Sequence, residues 1–119
     1  MIEIITAEEF KKNVFDYTAS DDLVFEKERP VIVNFFADWC GPCRAFAPTL
    51  ENVATKSEGL VNVYKVNIDH HPEVPALFGI RSVPTTVFLA AGSEPALATG
   101  MISEDGMAKA LKELFGIDI

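Results

Sequence analysis

An α/β domain, built on one mixed β-sheet with helices on both faces, is the fold class that the order of apolar segments predicts. Three observations carry it. Residues 30–37 ("PVIVNFFA") are β-branched and aromatic, and apolar on both faces apart from Asn34, the pattern of a central strand covered on both sides. A helix-like stretch follows, then a second strand-like run at residues 60–68 ("LVNVYKVNI"), and strand, helix, strand in that order favours a parallel pair with a right-handed crossover. Further on, "TTVFLAAG" and "EPALATG" are two short strands that Gly92 and Ser93 can join as a hairpin. A sheet holding both a parallel pair and a hairpin is mixed.

Taken in order, the elements are these. "MIEII" alternates apolar residues weakly and suits a short edge strand. Thr6 heads "TAEE", a capping box completed by Glu9, and Phe10, Val14 and Tyr17 follow at helical spacing. "SDDLVFEKER" is polar and turn-prone, with an apolar patch at Leu23, Val24 and Phe25. After the central strand, Phe46, Leu50, Val53 and Ala54 mark one face of a helix that ends near Gly59, with Pro48 inside it as an expected kink. "HPEVPALFG" predicts a short helix with Pro72 near its first turn, and His70 and His71 read as solvated loop residues before it. Ser103, Glu104 and Asp105 open a last helix whose inner face is Met107, Leu111, Leu114 and Phe115, and Gly116 ends it. No repeat, low-complexity tract or linker interrupts the chain, so residues 1–119 read as a single domain.

The formal net charge of −8 argues against nucleic acid or an anionic membrane as the main partner. No apolar run approaches the length of a membrane span, and no basic segment followed by an apolar one opens the chain. Two cysteines three positions apart cannot staple distant segments. The expectation is a soluble, cytoplasmic protein, most simply a monomer.

Those cysteines lie in "NFFADWCGPCR", where the central strand ends and a helix begins. They can be read as buried small apolar residues, as half of a metal site, or as a reversible redox pair. Zinc in a closed site wants four ligands, and the other candidates are His70 and His71, adjacent to each other and far along the chain. A cysteine at a helix start faces unpaired backbone N–H groups and the positive end of the helix dipole, which favour the thiolate. Cys43, three residues on, shares its helical face at a separation that a small rotamer change converts to a disulfide. The pair can then work in two steps. Thiolate Cys40 attacks a target disulfide, and Cys43 attacks the Cys40 sulfur to release the reduced target. Gly41 lets a substrate chain come close, and Pro42 stiffens the helix start.

"WCGPC", together with "VIVNFFADWCGPCRAFAP", "VYKVNID", "FGIRSVPTTVFL" and "ATGMIS" in that order, resembles the thioredoxin family over most of the chain. The resemblance implies the thioredoxin fold and a protein-disulfide reductase activity, with Cys40 attacking and Cys43 as the buried resolving thiol. It implies no bound cofactor, disulfide-containing target proteins, and re-reduction by an NADPH-dependent flavoprotein. It also implies a cis bond before Pro84, a Val83 backbone free to pair with an extended substrate, and a docking surface of Trp39, Gly41, Pro42, Val83, Pro84, Gly100 and Met101.

Asn34 departs from the pattern, which usually has a buried aspartate there to exchange the resolving thiol's proton. An amide does not titrate, so that role cannot pass to Asn34. Lys65 stands where the family holds a lysine beside that aspartate, and here it either snorkels to solvent or lends its charge to a thiolate. Phe36 replaces a tryptophan often found there, which implies altered packing. The departure keeps two rival functions open: a binding module that has lost fast turnover, and a disulfide oxidase or isomerase.

Overall fold

The computed structural model describes residues 2–119. In chain order it contains β1 (Glu3–Ile4), α1 (Ala7–Asn13), β2 (Val31–Phe36), α2 (Gly41–Lys56), β3 (Asn62–Asn67), α3 (Glu73–Leu77), β4 (Thr85–Leu89), β5 (Ala96–Thr99) and α4 (Glu104–Phe115). The sheet order is β1-β3-β2-β4-β5. β3 runs parallel to β1 and β2, while β4 runs antiparallel to β2 and β5. The expected mixed sheet is therefore present, with the 30–37 segment at its centre. The opening strand is reduced to two residues at the edge, and Met1 of "MIEII" lies outside the described residues.

Alternation along β2 divides the core. Val31, Val33 and Phe35 pack with Phe10, Val14 and Val74 on the side of α1 and α3. Ile32 packs with Phe46, Leu50, Met107 and Leu111 on the side of α2 and α4. A strand buried on both faces needs apolar residues at both parities, which is why no polar alternation marks it in the sequence. The first core is strongly aromatic: Phe10 meets Phe15 edge-on at 5.2 Å, and Phe78 stands edge-on to Phe15 at 6.2 Å. Such edge-to-face pairs add about 0.5–1.5 kcal/mol each beyond the area they bury.

Several elements differ from the periodicity reading. The capping box of α1 is present, but the helix stops at Asn13, with Val14 as its C-cap, so Tyr17 is not helical. Asp16 explains the stop: its carboxylate accepts from the Thr18 N–H and hydroxyl, a local turn that competes with helix. Tyr17 still packs on Phe10 at 6.1 Å. α2 continues through Pro48, which lies on its solvent side, and ends at Lys56, before Gly59. In α4, Leu114 is not on the inner face but 42% exposed. Gly116, at φ 68°, turns the chain so that Ile117 N–H donates to the Leu111 C=O, and Ile117 and Ile119 cover the core there instead. His70 is exposed as expected, but His71 is partly buried, and its Nδ1 accepts from Ala7 N–H at the start of α1.

Candidate active site

The C-terminal end of β2 delivers the chain into a tight turn. Cys40 N–H donates back to the Ala37 C=O at 3.2 Å, and Arg44 Nη1 donates to the Asp38 C=O at 2.7 Å. Cys40 is then the N-cap of α2, just before the helix and not within its first turn, with extended backbone and a sulfur that accepts from Cys43 N–H at 3.1 Å. Ordinarily a hydroxyl or carboxylate oxygen does this. No acidic residue occupies the first turn of α2, so no carboxylate there opposes negative charge on the sulfur.

Cys40 and Cys43 form a disulfide across a Cα–Cα distance of 5.3 Å. They sit in a small apolar nest with Ala37, against which Phe36, Ile68 and Val83 pack. In this oxidised pair Cys40 is 3% and Cys43 6% exposed. Cys43 is thus buried, as expected of the resolving thiol, but Cys40 is buried equally, so burial does not tell the two apart. What distinguishes Cys40 is its place at the cap.

Around this nest the sequence-derived docking residues fall into three groups. Trp39 is 68% exposed, with Gly41 and Pro42 also at the surface beside it. Its indole Nε1–H donates to Asp69 Oδ2 at 2.9 Å, and the Asp69 N–H in turn donates to Asn67 Oδ1. Val83, packed on the cysteine nest, precedes a buried Pro84 through a cis peptide bond. Thr85 Oγ1 closes that loop onto the Ser82 C=O at 2.8 Å, and Val83 makes no backbone–backbone hydrogen bond among the described residues. Gly100 is tied to this group because its N–H donates to the Pro84 C=O at 2.8 Å. Met101 follows it, 53% exposed.

Asn34 is buried in β2, and its Nδ2–H donates to Thr86 Oγ1 over a long 3.4 Å. The strand register sets Lys65 on one side of it and Thr86 on the other. Lys65 is half-buried, its Nζ 4.8 Å from the centre of the Phe36 ring. Burial holds its pKa below the usual lysine range, while the Glu51 carboxylate pulls it back up. Phe36 thus does more than alter packing, since its ring carries the lysine. Among the described residues, no three His, Cys, Asp or Glu side chains are grouped so as to hold a metal ion.

Residues 2–113 match the family model described as Thioredoxin. The chain belongs to the thioredoxin family. It is 34% identical over 112 residues to the thioredoxin of Borreliella burgdorferi, covering 94% of this chain and 96% of that relative. It is 37% identical over 90 residues to thioredoxin 1 of a Nostoc species, covering 76% of this chain and 84% of that one. Among solved structures, chloroplastic thioredoxin z superposes with a TM-score of 0.79 at 26% identity, over 98% of this chain and 96% of the other. The thioredoxin fold of this protein and its chemistry, thiol–disulfide exchange at a CxxC pair, follow.

Sequence reasoning passed over three neighbours of the site. Asp69 holds Trp39, Thr86 receives the Asn34 amide, and Glu51 acts on Lys65. Asp69 and Thr86 lie inside stretches that carried the resemblance, but their partners come from other strands and loops, and no periodicity reports that.

Proposed function

We propose that this thioredoxin-family protein works as a cytoplasmic dithiol carrier, reducing disulfides in other proteins and being recharged by an NADPH-dependent flavoprotein reductase. The observation that carries the reading is the Cys40 sulfur at the cap of α2, accepting a backbone N–H with no acidic side chain in the first helical turn. After reduction, that sulfur is the one whose thiolate is stabilised. It attacks one sulfur of a target disulfide, and the other target sulfur leaves with the electron pair. Cys43 then displaces the first target sulfur from Cys40, closing the 40–43 disulfide and leaving the target as a dithiol. The target chain would lie across Trp39 and Pro42 on one side and Val83, Pro84, Gly100 and Met101 on the other. The unengaged Val83 backbone would pair with it like an added strand. No bound cofactor enters these steps, and the protein would act as a monomer.

Asn34 favours a second reading, a clamp that docks disulfide proteins but turns over slowly. A redox titration of the 40–43 pair, combined with turnover on a disulfide-containing protein, separates the readings. A low potential with many turnovers supports the carrier. A high potential supports an oxidase or isomerase, and docking without turnover supports the clamp.

A further inference from the structure

Residues 67–71 carry the chain from the end of β3 toward α3. At the root of this turn Asn67 is buried, and its Oδ1 accepts from the Asp69 N–H at 2.9 Å and the His70 N–H at 3.4 Å. Its C=O accepts from the His71 N–H at 3.1 Å. In the middle of the turn, the exposed Asp69 receives the Trp39 indole N–H at 2.9 Å. At its end His71 is partly buried, and its Nδ1 accepts from the N–H of Ala7, the first residue of α1, at 3.2 Å. That contact joins positions 64 apart in the chain. Ala7 is buried and stands at the helix start, where no intrahelical carbonyl is within reach of its N–H. An imidazole nitrogen accepts only while unprotonated, and the charged ring donates from both nitrogens.

We propose that His71 is a positioning residue for the docking surface: its neutral ring pins the 67–71 turn to α1, and the turn so held presents Asp69 to Trp39. The proposal rests on the docking surface assigned in the carrier reading. The chain of contacts runs from Ala7 to the His71 ring, from the His71 N–H to the Asn67 C=O, from the Asn67 side chain to the Asp69 N–H, and from the Asp69 carboxylate to Trp39. Trp39 is 68% exposed, and with so little of its ring packed this last hydrogen bond is what orients it. When a proton from solvent adds to Nδ1, the ring gains a charge and a donor, and the Ala7 N–H loses its acceptor. The ring then leaves the helix start, the anchor at the end of the turn is lost, and Asp69 holds Trp39 less of the time. The titratable groups of the surrounding elements are Glu8, Glu9, Lys11 and Lys12 on α1, Asp16 and Tyr17 just after it, Glu73 on α3, and Asp69 and His70 on the turn itself. Carboxylates outnumber ammonium groups among them, so the released ring has anionic neighbours to turn toward.

The test follows two nuclear magnetic resonance signals of the oxidised protein, with no target or reductase present. The chain has one tryptophan, so Trp39 gives a single indole N–H signal. That signal and the Ala7 amide are read from about pH 5 to 8, the range in which imidazoles titrate. Both move with one shared midpoint, which is also that of the His71 ring's own carbon-bound protons. His71→Asn, whose Oδ1 accepts in place of Nδ1 but does not titrate, removes the step and holds both signals at their neutral-pH positions. His71→Leu offers no acceptor and holds the indole signal at its acid position throughout. His70→Asn keeps the step, since the exposed His70 gives the turn only its backbone N–H. In turnover, lowering the pH from about 7.5 to 5.5 raises KM for a disulfide-containing protein more in the parent than in His71→Asn. The difference is up to about fivefold, the worth of one ordinary hydrogen bond, and the kcat ratio of the two proteins stays level. The pH dependence of the sulfur chemistry is common to both and cancels. An Ala7 signal that steps while the indole signal stays fixed, a step that survives in His71→Asn or vanishes in His70→Asn, or equal KM changes in parent and His71→Asn, overturns the proposal. Should His71→Asn impair folding, agreement or disagreement of the three midpoints in the unsubstituted protein decides in its place. The signals are read without any target, so their failure is distinguishable from failure of the carrier reading.

Discussion

At the scale of single residues, a buried neutral amide, Asn34, and a half-buried cation, Lys65, face each other in the register of β2 and β3. Asn34 is 3% exposed, so Asn34→Asp buries a carboxyl whose protonated form the fold prefers. The folded-state pKa of the introduced group then lies above its unfolded value. The variant should be nearly as stable as the parent below about pH 4 and lose stability as pH rises through the folded pKa. The loss is about 1.4 kcal/mol for each pH unit separating the folded from the unfolded value. Chemical denaturation at acid and neutral pH measures this, and equal stabilities at both would contradict the buried, neutral environment assigned to position 34. Lys65 behaves in the opposite sense. Its folded pKa is lowered by burial, so the unfolded chain binds that proton more readily. Stability attributable to Lys65 therefore rises with pH between its folded value and the ordinary value of about 10.4. Lys65→Met should be the more stable protein at neutral pH, and its advantage should narrow in alkali. Tyr17 and Tyr64, whose pKa values burial raises, lose stability over alkaline pH in both proteins and cancel in the difference. An advantage that grows toward alkali would contradict the partial burial of Lys65. Asn34 was visible in the sequence as the one polar residue in an apolar run, and its mismatch with the family pattern was legible too. Its partner Thr86 was not, because β2 and β4 meet across 52 positions of chain.

At the scale of elements, helix starts were the most legible feature, because the residues that cap them are local. Thr6 with Glu9, and Ser103 with the N–H of Gly106, cap α1 and α4 as their sequences indicate. Helix ends were less so: Asp16 ends α1 through a side-chain turn, and Leu114 faces solvent because the segment after Gly116 folds back over the core. Periodicity reports which residues share a helical face, but not how far the surface beneath that face extends. Gly106 gives an element-level prediction. Gly to Ala inside a helix ordinarily stabilises by about 1 kcal/mol. Here an added Cβ would stand 2.9 Å from Ile102 Cγ2 and 3.2 Å from the capping Ser103 Oγ. Gly106→Ala should therefore forfeit the usual gain and lower the thermal midpoint of unfolding, with α4 shifting or its cap opening. A raised midpoint would show that Ile102 yields freely.

At the scale of the whole molecule, the sheet exists to bring distant loops to one place. The ends of β2 and β3, the loop before β4 and the end of β5 converge around a disulfide at the head of α2. The order of elements and the central strand were readable because burial on both faces leaves a distinctive apolar run. The contacts Trp39–Asp69 and Gly100–Pro84 were not, since each joins segments that only the closed sheet makes neighbours. Function depends on what that convergence does to the sulfur at the cap. The most direct test is the pH dependence of alkylation of the fully reduced protein, with the modified cysteine located by mass spectrometry. Cys40 should react first, with an apparent midpoint clearly below the value of about 8.5 for a free cysteine. Preferential modification of Cys43, or a Cys40 that titrates like a free thiol, would contradict the account.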